Sequence, residues 1–175
     1  MNKYYKYQTF WRRFFALIID GVILSIISRL FEVIPEVSSV FISTILTIID
    51  SGLPYIYAIL MIGKFGQTLG KMVMGVKIVD NSTEGRASYY QAFTREVVPL
   101  FLVTISIIFI AILFSGEDLE NFKLSTLGYI IVFLPSSMLL LWSILEVVTM
   151  LFNEKYRALH DIIANTVVVK VQKNE

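Results

Sequence analysis

The sequence predicts an all-α integral membrane protein: four transmembrane helices, a small cytoplasmic amphipathic helix and a candidate two-stranded β element. Three observations predict it. The first is composition. Of 175 residues, 56% are apolar and 17% charged, against about 25% charged in soluble domains, and the mean hydropathy is +0.71. A soluble monomer of one domain's length cannot bury so much hydrocarbon, and disorder needs the opposite composition. The second is that the apolar residues gather into four stretches near the roughly 17–25 residues that span a bilayer. The third is segregation of basic residues to one side of those stretches.

The first stretch runs from Phe14 to Phe31. A basic lead and an apolar run resemble a signal peptide, but no small-x-small cleavage site follows, so it reads as an uncleaved first helix. The second runs from Val40 to Ile62, the third from Val98 to Phe114, and the fourth from Leu127 to Phe152. The third is short for a span. The fourth is long enough to tilt or to protrude, and Pro135-Ser136-Ser137 is placed to kink it. Gly21, Ser25 and Ser28 form a small-residue stripe suited to helix packing. The N-terminal tyrosines and Trp11 read as an interfacial aromatic belt.

With four spans, the N-terminal tail, the 63–97 loop and the C-terminal tail fall on one side. They hold 13 of the 15 Lys and Arg residues. The other side has the short loops EVIPE and SGEDLENFK, which carry five acids and one lysine. Both termini are therefore expected in the cytoplasm of a multi-pass cell-membrane protein. Asn81-Ser82-Thr83 fits a glycosylation pattern but lies on the cytoplasmic side, a chance match.

Within the 63–97 loop, GQTLGKMVMG places Leu69, Met72, Val73 and Val76 at helical spacing. That predicts a short helix on the membrane surface, with Lys64, Lys71 and Lys77 near lipid phosphates. VKIVD then reads as a strand and NSTEG as a turn. TVVVKV, from Thr166, is a second strand candidate. The two either pair into a small cytoplasmic sheet or are separate extended segments.

Several chemistries are excluded. There is no cysteine and the only histidine is His160, so disulfides, thiol nucleophiles and multi-histidine or thiolate metal sites are absent. A net charge of +1 gives no basic patch for nucleic acid. Phe65 and Met72 occupy positions where a P-loop needs glycine and Ser/Thr. No G-x-S-x-G elbow or intramembrane G-x-G-D pair occurs, and the adjacent His160-Asp161 is poorly placed as a dyad. The expectation is a protein that is not an enzyme and has no cofactor.

Four motifs follow one another: FWRRFFALIID from Phe10, GQTLGKMVMGVKIVD from Gly66, QAFTREVVP from Gln91 and RALHDIIANTVVV from Arg157. In this order they resemble the RDD family of prokaryotic membrane proteins, named for one arginine and two aspartates. The resemblance covers nearly the whole chain. It maps the arginine to Arg13, with Arg12 an adjacent alternative, and the aspartates to Asp20 and Asp161. Where such proteins often have glycine before the threonine, this chain has Ala164-Asn165-Thr166. The resemblance implies a membrane architecture. For activity it leaves two directions, since some members are linked to cation/proton antiport and others to assisting membrane partners.

Ionisable residues inside the spans carry the functional signal, since each costs roughly 2.5–3.5 kcal/mol at a helix centre. Asp20 lies two turns beyond Arg13, about 10 Å along the axis, too far for direct contact. The expected arrangement is an Arg13–Asp161 ion pair at the cytoplasmic mouth with Asp20 deeper. Asp50 falls near the midplane, followed by Ser51, Gly52 and Pro54, residues that let a helix open locally. Glu146 lies near the cytoplasmic interface or submerged, depending on where the fourth helix enters. Arg29 reads as an interfacial anchor. Asp20, Asp50 and Glu146 are the candidates for ion or proton coupling; the competing role is hydrogen-bonded glue between helices. The leading function is thus small-cation or proton-coupled transport. The alternative is a non-catalytic partner or scaffold docking another membrane protein through its cytoplasmic face. The expected partners are the lipid bilayer, a monovalent cation or proton, and a second copy or another membrane protein.

Overall fold

The computed structural model describes residues 6–29, 40–114 and 126–171. In chain order the elements are α1 (Phe10–Ser28), α2 (Val40–Phe65), α3 (Leu69–Val73), β1 (Val76–Asp80), α4 (Tyr89–Phe114), α5 (Thr126–Phe152), α6 (Leu159–Ile163) and β2 (Thr166–Lys170). The loops EVIPE and SGEDLENFK lie outside the described residues.

Within the described residues, each of the four apolar stretches is helical. By length and composition, two helical segments among the described residues are able to cross a membrane, Phe41–Phe65 and Tyr89–Phe109, and Ser137–Phe152 is a shorter apolar segment. Only 6% and 17% of the two longer segments is buried within the protein, where the core helix of a soluble fold would be mostly buried. Their apolar side chains, such as Phe41, Ile56 and Phe101, face outward. Pro54 and Pro99 lie inside α2 and α4 without ending them.

The third apolar stretch begins its helix at Tyr89, nine residues before the expected Val98. The cause is a reciprocal cap. Ser88 N–H donates to Gln91 Oε1 at 3.0 Å and Gln91 N–H to Ser88 Oγ at 3.2 Å. This Ser-x-x-Gln capping box starts the helix in polar sequence, before hydropathy signals it. At the other end of the preceding loop, α2 stops at Gly66. This residue takes φ +76°, its N–H closes on Ile62 O at 2.8 Å, and its carbonyl accepts from Ile78 N–H at 2.7 Å. A left-handed glycine thus ends the helix and aims the chain along β1.

α2, α4 and α5 pack in that order. α1 touches α2 little and is held mainly through α3. A side chain on Gly21 would meet nothing within 4 Å, so the small-residue stripe of α1 does not seat another described helix there.

β1 and β2 pair antiparallel, with Val76 opposite Lys170 and Asp80 opposite Thr166. Two strands alone are marginal in water, and here both faces are covered. Val76, Ile78 and Val168 pack with Ile62 of α2 and with Ala87 and Ala92 at the start of α4. Val79, Val167 and Val169 pack with Tyr7 and Tyr156. Burial on both faces explains the unbroken Val167–Val169 run. Asn165, where glycine was expected, turns α6 into β2 at φ +50°. Asparagine tolerates that left-handed conformation, so the turn keeps its shape without glycine.

The NSTEG turn is built on Asp80. Its Oδ1 accepts from the N–H groups of Ser82 at 2.9 Å and Thr83 at 2.8 Å, and its Oδ2 from Gln91 Nε2 at 2.5 Å. The Thr83 and Gln91 bonds pull the carboxyl down to about 2. Because the folded value is below the free value of 3.8, the turn's extra stability is present above pH 3.8. It is lost as pH falls through about 2. Amide exchange at Ser82 and Thr83 is expected to accelerate over that window, ahead of β2 amides. Exchange independent of pH there, after correction for the intrinsic rate, contradicts the assignment.

Candidate functional site

Two polar clusters sit where the short elements meet the long helices. The first centres on Asp161, at the third position of α6 and 0% exposed. Its Oδ2 accepts from Arg13 and, at 3.1 Å, from Ala158 N–H; its Oδ1 accepts from Arg95 and, at 3.3 Å, from the Thr166 hydroxyl. Arg95 also donates to Thr166 Oγ1 at 2.6 Å. The structure therefore joins α1, α4, α6 and β2 on one carboxylate. Burial alone pushes the Asp161 carboxyl up, but the charges of Arg13 and Arg95 outweigh it and hold it well below the usual carboxylate range. Arg13 also donates to Tyr156 O at 3.0 Å, and Arg157 donates to Asp161 O and Thr166 O, both at 2.9 Å.

His160 extends this cluster towards α5. Its Nδ1 contacts Glu146, and its Nε2 lies 3.4 Å from Arg13 Nη2 and 3.6 Å from Asp161 Oδ1. Glu146 is therefore tied to the α6 end of the bundle, and His160 links one long helix to the buried ion pair.

The second cluster centres on Asp20, 8% exposed. Its Oδ1 accepts from the Tyr57 hydroxyl at 2.9 Å and from Gly70 N–H at 2.8 Å, and its Oδ2 from the Thr68 hydroxyl at 2.6 Å. Tyr57 O in turn accepts from Leu69 N–H at 2.8 Å. A carboxylate on α1 thus satisfies the open Gly70 N–H in the first turn of α3 directly, and orients the Tyr57 hydroxyl that accepts from Leu69 N–H. The approach is close: a Cβ on Gly70 would lie 2.2 Å from Ala16 O. Arg13 and Asp20 are not joined; each belongs to its own cluster.

The remaining sequence candidates lie apart. Asp50 is partly buried in α2, and its Oδ1 is buried with no hydrogen-bond partner among the described residues. Lys64 is exposed over the Phe65 ring. Lys77 packs its stem beside Gly66. Lys71 is partly buried, its ammonium 3.4 Å from Thr68 Oγ1. Outward from α3, Leu69 and Val73 are 40% and 71% exposed.

Sequence reading missed Arg95, Thr166, Tyr57, Thr68 and Gly70 as site residues. Arg95 had been counted as a loop cation; the Ser88–Gln91 capping box was the available signal that it sits on a helix. Nothing local marked Tyr57, Thr68 or Gly70, whose partner is 37–50 residues away in sequence.

A family model described as the RDD family matches residues 7–165. The chain belongs to the RDD family. The two clusters contain Arg13, Asp20 and Asp161. A relative of this RDD protein, "Uncharacterized membrane protein YteJ" of Bacillus subtilis (strain 168), is 32% identical over 116 residues. That alignment covers 62% of this chain and 71% of the relative. No solved structure matches the chain. This is an RDD family membrane protein, with Trp11, Phe14 and Leu17 of α1 and Leu140, Leu141 and Leu151 of α5 presenting apolar surface outward.

Proposed function

We propose that this RDD protein spans the cell membrane four times with both termini cytoplasmic, and that it couples movement of a proton or small monovalent cation to Asp50. The observation that carries the reading is the bare Asp50 Oδ1. A carboxyl oxygen buried without a donor is costly. A proton on the carboxyl or a bound cation supplies what the protein does not. Ser51, Gly52 and Pro54 beside it weaken the local helical ladder and free carbonyls for such an ion.

The other acids are occupied differently. Three donors saturate Asp20, and Glu146 faces His160. Both are therefore assigned to holding the cytoplasmic cap on the bundle. The same saturation favours the second reading, a non-catalytic scaffold whose cap docks a membrane partner.

The test is proton flux in liposomes with a trapped pH dye under an imposed Na⁺ or K⁺ gradient. Wild type is expected to exceed empty liposomes, and Asp50→Asn to fall to the empty-liposome rate while melting normally. Flux that survives Asp50→Asn removes the residue assignment. No wild-type flux from folded, inserted protein removes transport and leaves the scaffold.

A further inference from the structure

We propose that His160 is a proton-operated tie between the cap and the long helices. As imidazole it bridges α5 to α1; on taking up a proton it keeps α5 and lets go of α1. The tie does not depend on ion movement through Asp50. Its setting is a cap made of two equivalent units, residues 68–80 and 158–170, each a short helix followed by a strand. Thr68 and Ala158 precede the short helices at φ −80°, ψ 170° and φ −72°, ψ 168°. Met74 and Ala164 end them at φ −80°, ψ −1° and φ −83°, ψ 0°. Gly75 and Asn165 then turn left-handed, at φ +63° and +50°. Gly75 O accepts from Val171 N–H at 2.9 Å, and Asn165 O from Asn81 N–H at 3.0 Å. The strand pairing is symmetric about Ile78 and Val168.

The two units differ in what ties them down. In the first, Asp20 on α1 takes the Gly70 N–H and the Thr68 and Tyr57 hydroxyls. No side chain fits at Gly70, where a Cβ would lie 2.2 Å from Ala16 O. The equivalent position in the second unit is His160, and its ring reaches two ways. Nδ1 contacts Glu146 on α5, and Nε2 lies 3.4 Å from Arg13 Nη2 on α1. A carboxylate needs a donor, and a guanidinium offers only donors. The neutral ring therefore satisfies both neighbours only with its proton on Nδ1 and its lone pair on Nε2. The His160 and Glu146 side chains are 20% and 26% exposed, so water reaches the tie, whereas Asp161 beside it is sealed.

A second ring proton falls on Nε2 and faces the Arg13 guanidinium, donor against donor. The next acceptor, Asp161 Oδ1, is 3.6 Å away and already takes Arg95 and the Thr166 hydroxyl. The charged groups around the ring are Arg13 from α1, Glu146 from α5 and Asp161 from α6 itself. α4 adds Arg95, held on Asp161, and Arg157 sits on the carbonyls of Asp161 and Ile162. With three arginines against two carboxylates, a further positive charge is best placed against Glu146 and away from Arg13. The Glu146 contact gains from the charge and the Arg13 contact is lost. Arg13 keeps Asp161 and Tyr156 O, so α1 loosens at the cap without leaving it.

The full chain in neutral detergent, purified without a histidine tag, tests this directly. His160 is the only histidine, so labelling the ring nitrogens gives one set of NMR signals. From about pH 8 to about pH 5, the span in which histidine ordinarily changes charge, the ring is expected to pass from the Nδ1–H tautomer to the imidazolium. Amide exchange at residues 13–16 of α1, corrected for the intrinsic rate, should quicken about three- to tenfold over that span, the scale of one hydrogen bond. The Gly70 amide, the tie of the first unit, should change less than about twofold, as a separately held unit does. His160→Gln should remove the pH dependence at α1. The proposal is overturned by an Nε2–H tautomer at the alkaline end, or by a ring that keeps one protonation state throughout. It is also overturned if Gly70 quickens as much as α1, or if His160→Gln leaves the response of α1 unchanged. The NMR reading needs no variant, so it decides the matter even if His160→Gln does not fold.

Discussion

Asp161→Asn is expected to lower the stability of the folded protein by about 3–5 kcal/mol, the range for removing one partner of a buried ion pair. The substitution is nearly isosteric, so little of the loss comes from packing. What it leaves behind is two guanidinium groups, Arg13 and Arg95, with side chains only 10% and 2% exposed and no counter-charge between them. The amide also replaces an acceptor by a donor, turned either on Arg13 and Ala158 N–H or on Arg95 and Thr166. Melting in detergent, followed by protease accessibility of the 153–171 segment, measures the effect. Asp161→Glu is not expected to rescue, because Ala158 N–H and Thr166 Oγ1 fix the carboxylate within one turn of α6. A loss below about 1 kcal/mol, typical of an exposed pair, contradicts the buried junction.

Gly70→Ala is the second large effect. The new methyl would lie 2.2 Å from Ala16 O and 2.9 Å from Asp20 Cγ. Both obstacles belong to α1, and the first is backbone, which does not rotate away. α3 must move off α1, and the Gly70 N–H bond to Asp20 stretches with it. Overpacking costs about 1–3 kcal/mol, occasionally more, and loss of a charged hydrogen bond adds about 1.5–3 kcal/mol. Gly21→Ala, on the same helix as Asp20 but with open space around it, should be neutral or gain up to about 1 kcal/mol from helix propensity. Equal effects from the two substitutions contradict the close approach of α3 to α1.

These two substitutions also mark how far the sequence was legible. Long helices announce themselves through unbroken apolar runs, and the β-branched Val167–Val169 run marks β2. Their ends were less legible: α4 starts in QAFTRE, where only Ser88 and Gln91 reveal the cap. Arg13 and Asp161, which the structure pairs, stand out because charge beside an apolar span is costly and needs a partner. Arg95 does not stand out, since an arginine in a basic loop looks ordinary until the loop proves helical. Asp20 was conspicuous, but its use was hidden. Its donors come from α2, from Thr68 just before α3 and from Gly70 within α3, and a carboxylate capping another helix leaves no local pattern. Asp50 is the reverse case: its position is evident from hydropathy, and its bare oxygen emerges only from three-dimensional packing.

The Arg13–Asp161 contact joins residues 148 positions apart, and β1 must wait for β2 to pair. During synthesis the first long helix therefore leaves the ribosome with its arginine unanswered. β1 remains an unsatisfied apolar edge until the segment after α5 has been made. The polar junction therefore closes late. A chain arrested before residue 161 would present two buried-type arginines and an open strand to the cell's proteases. Completed chains would hide both in one step.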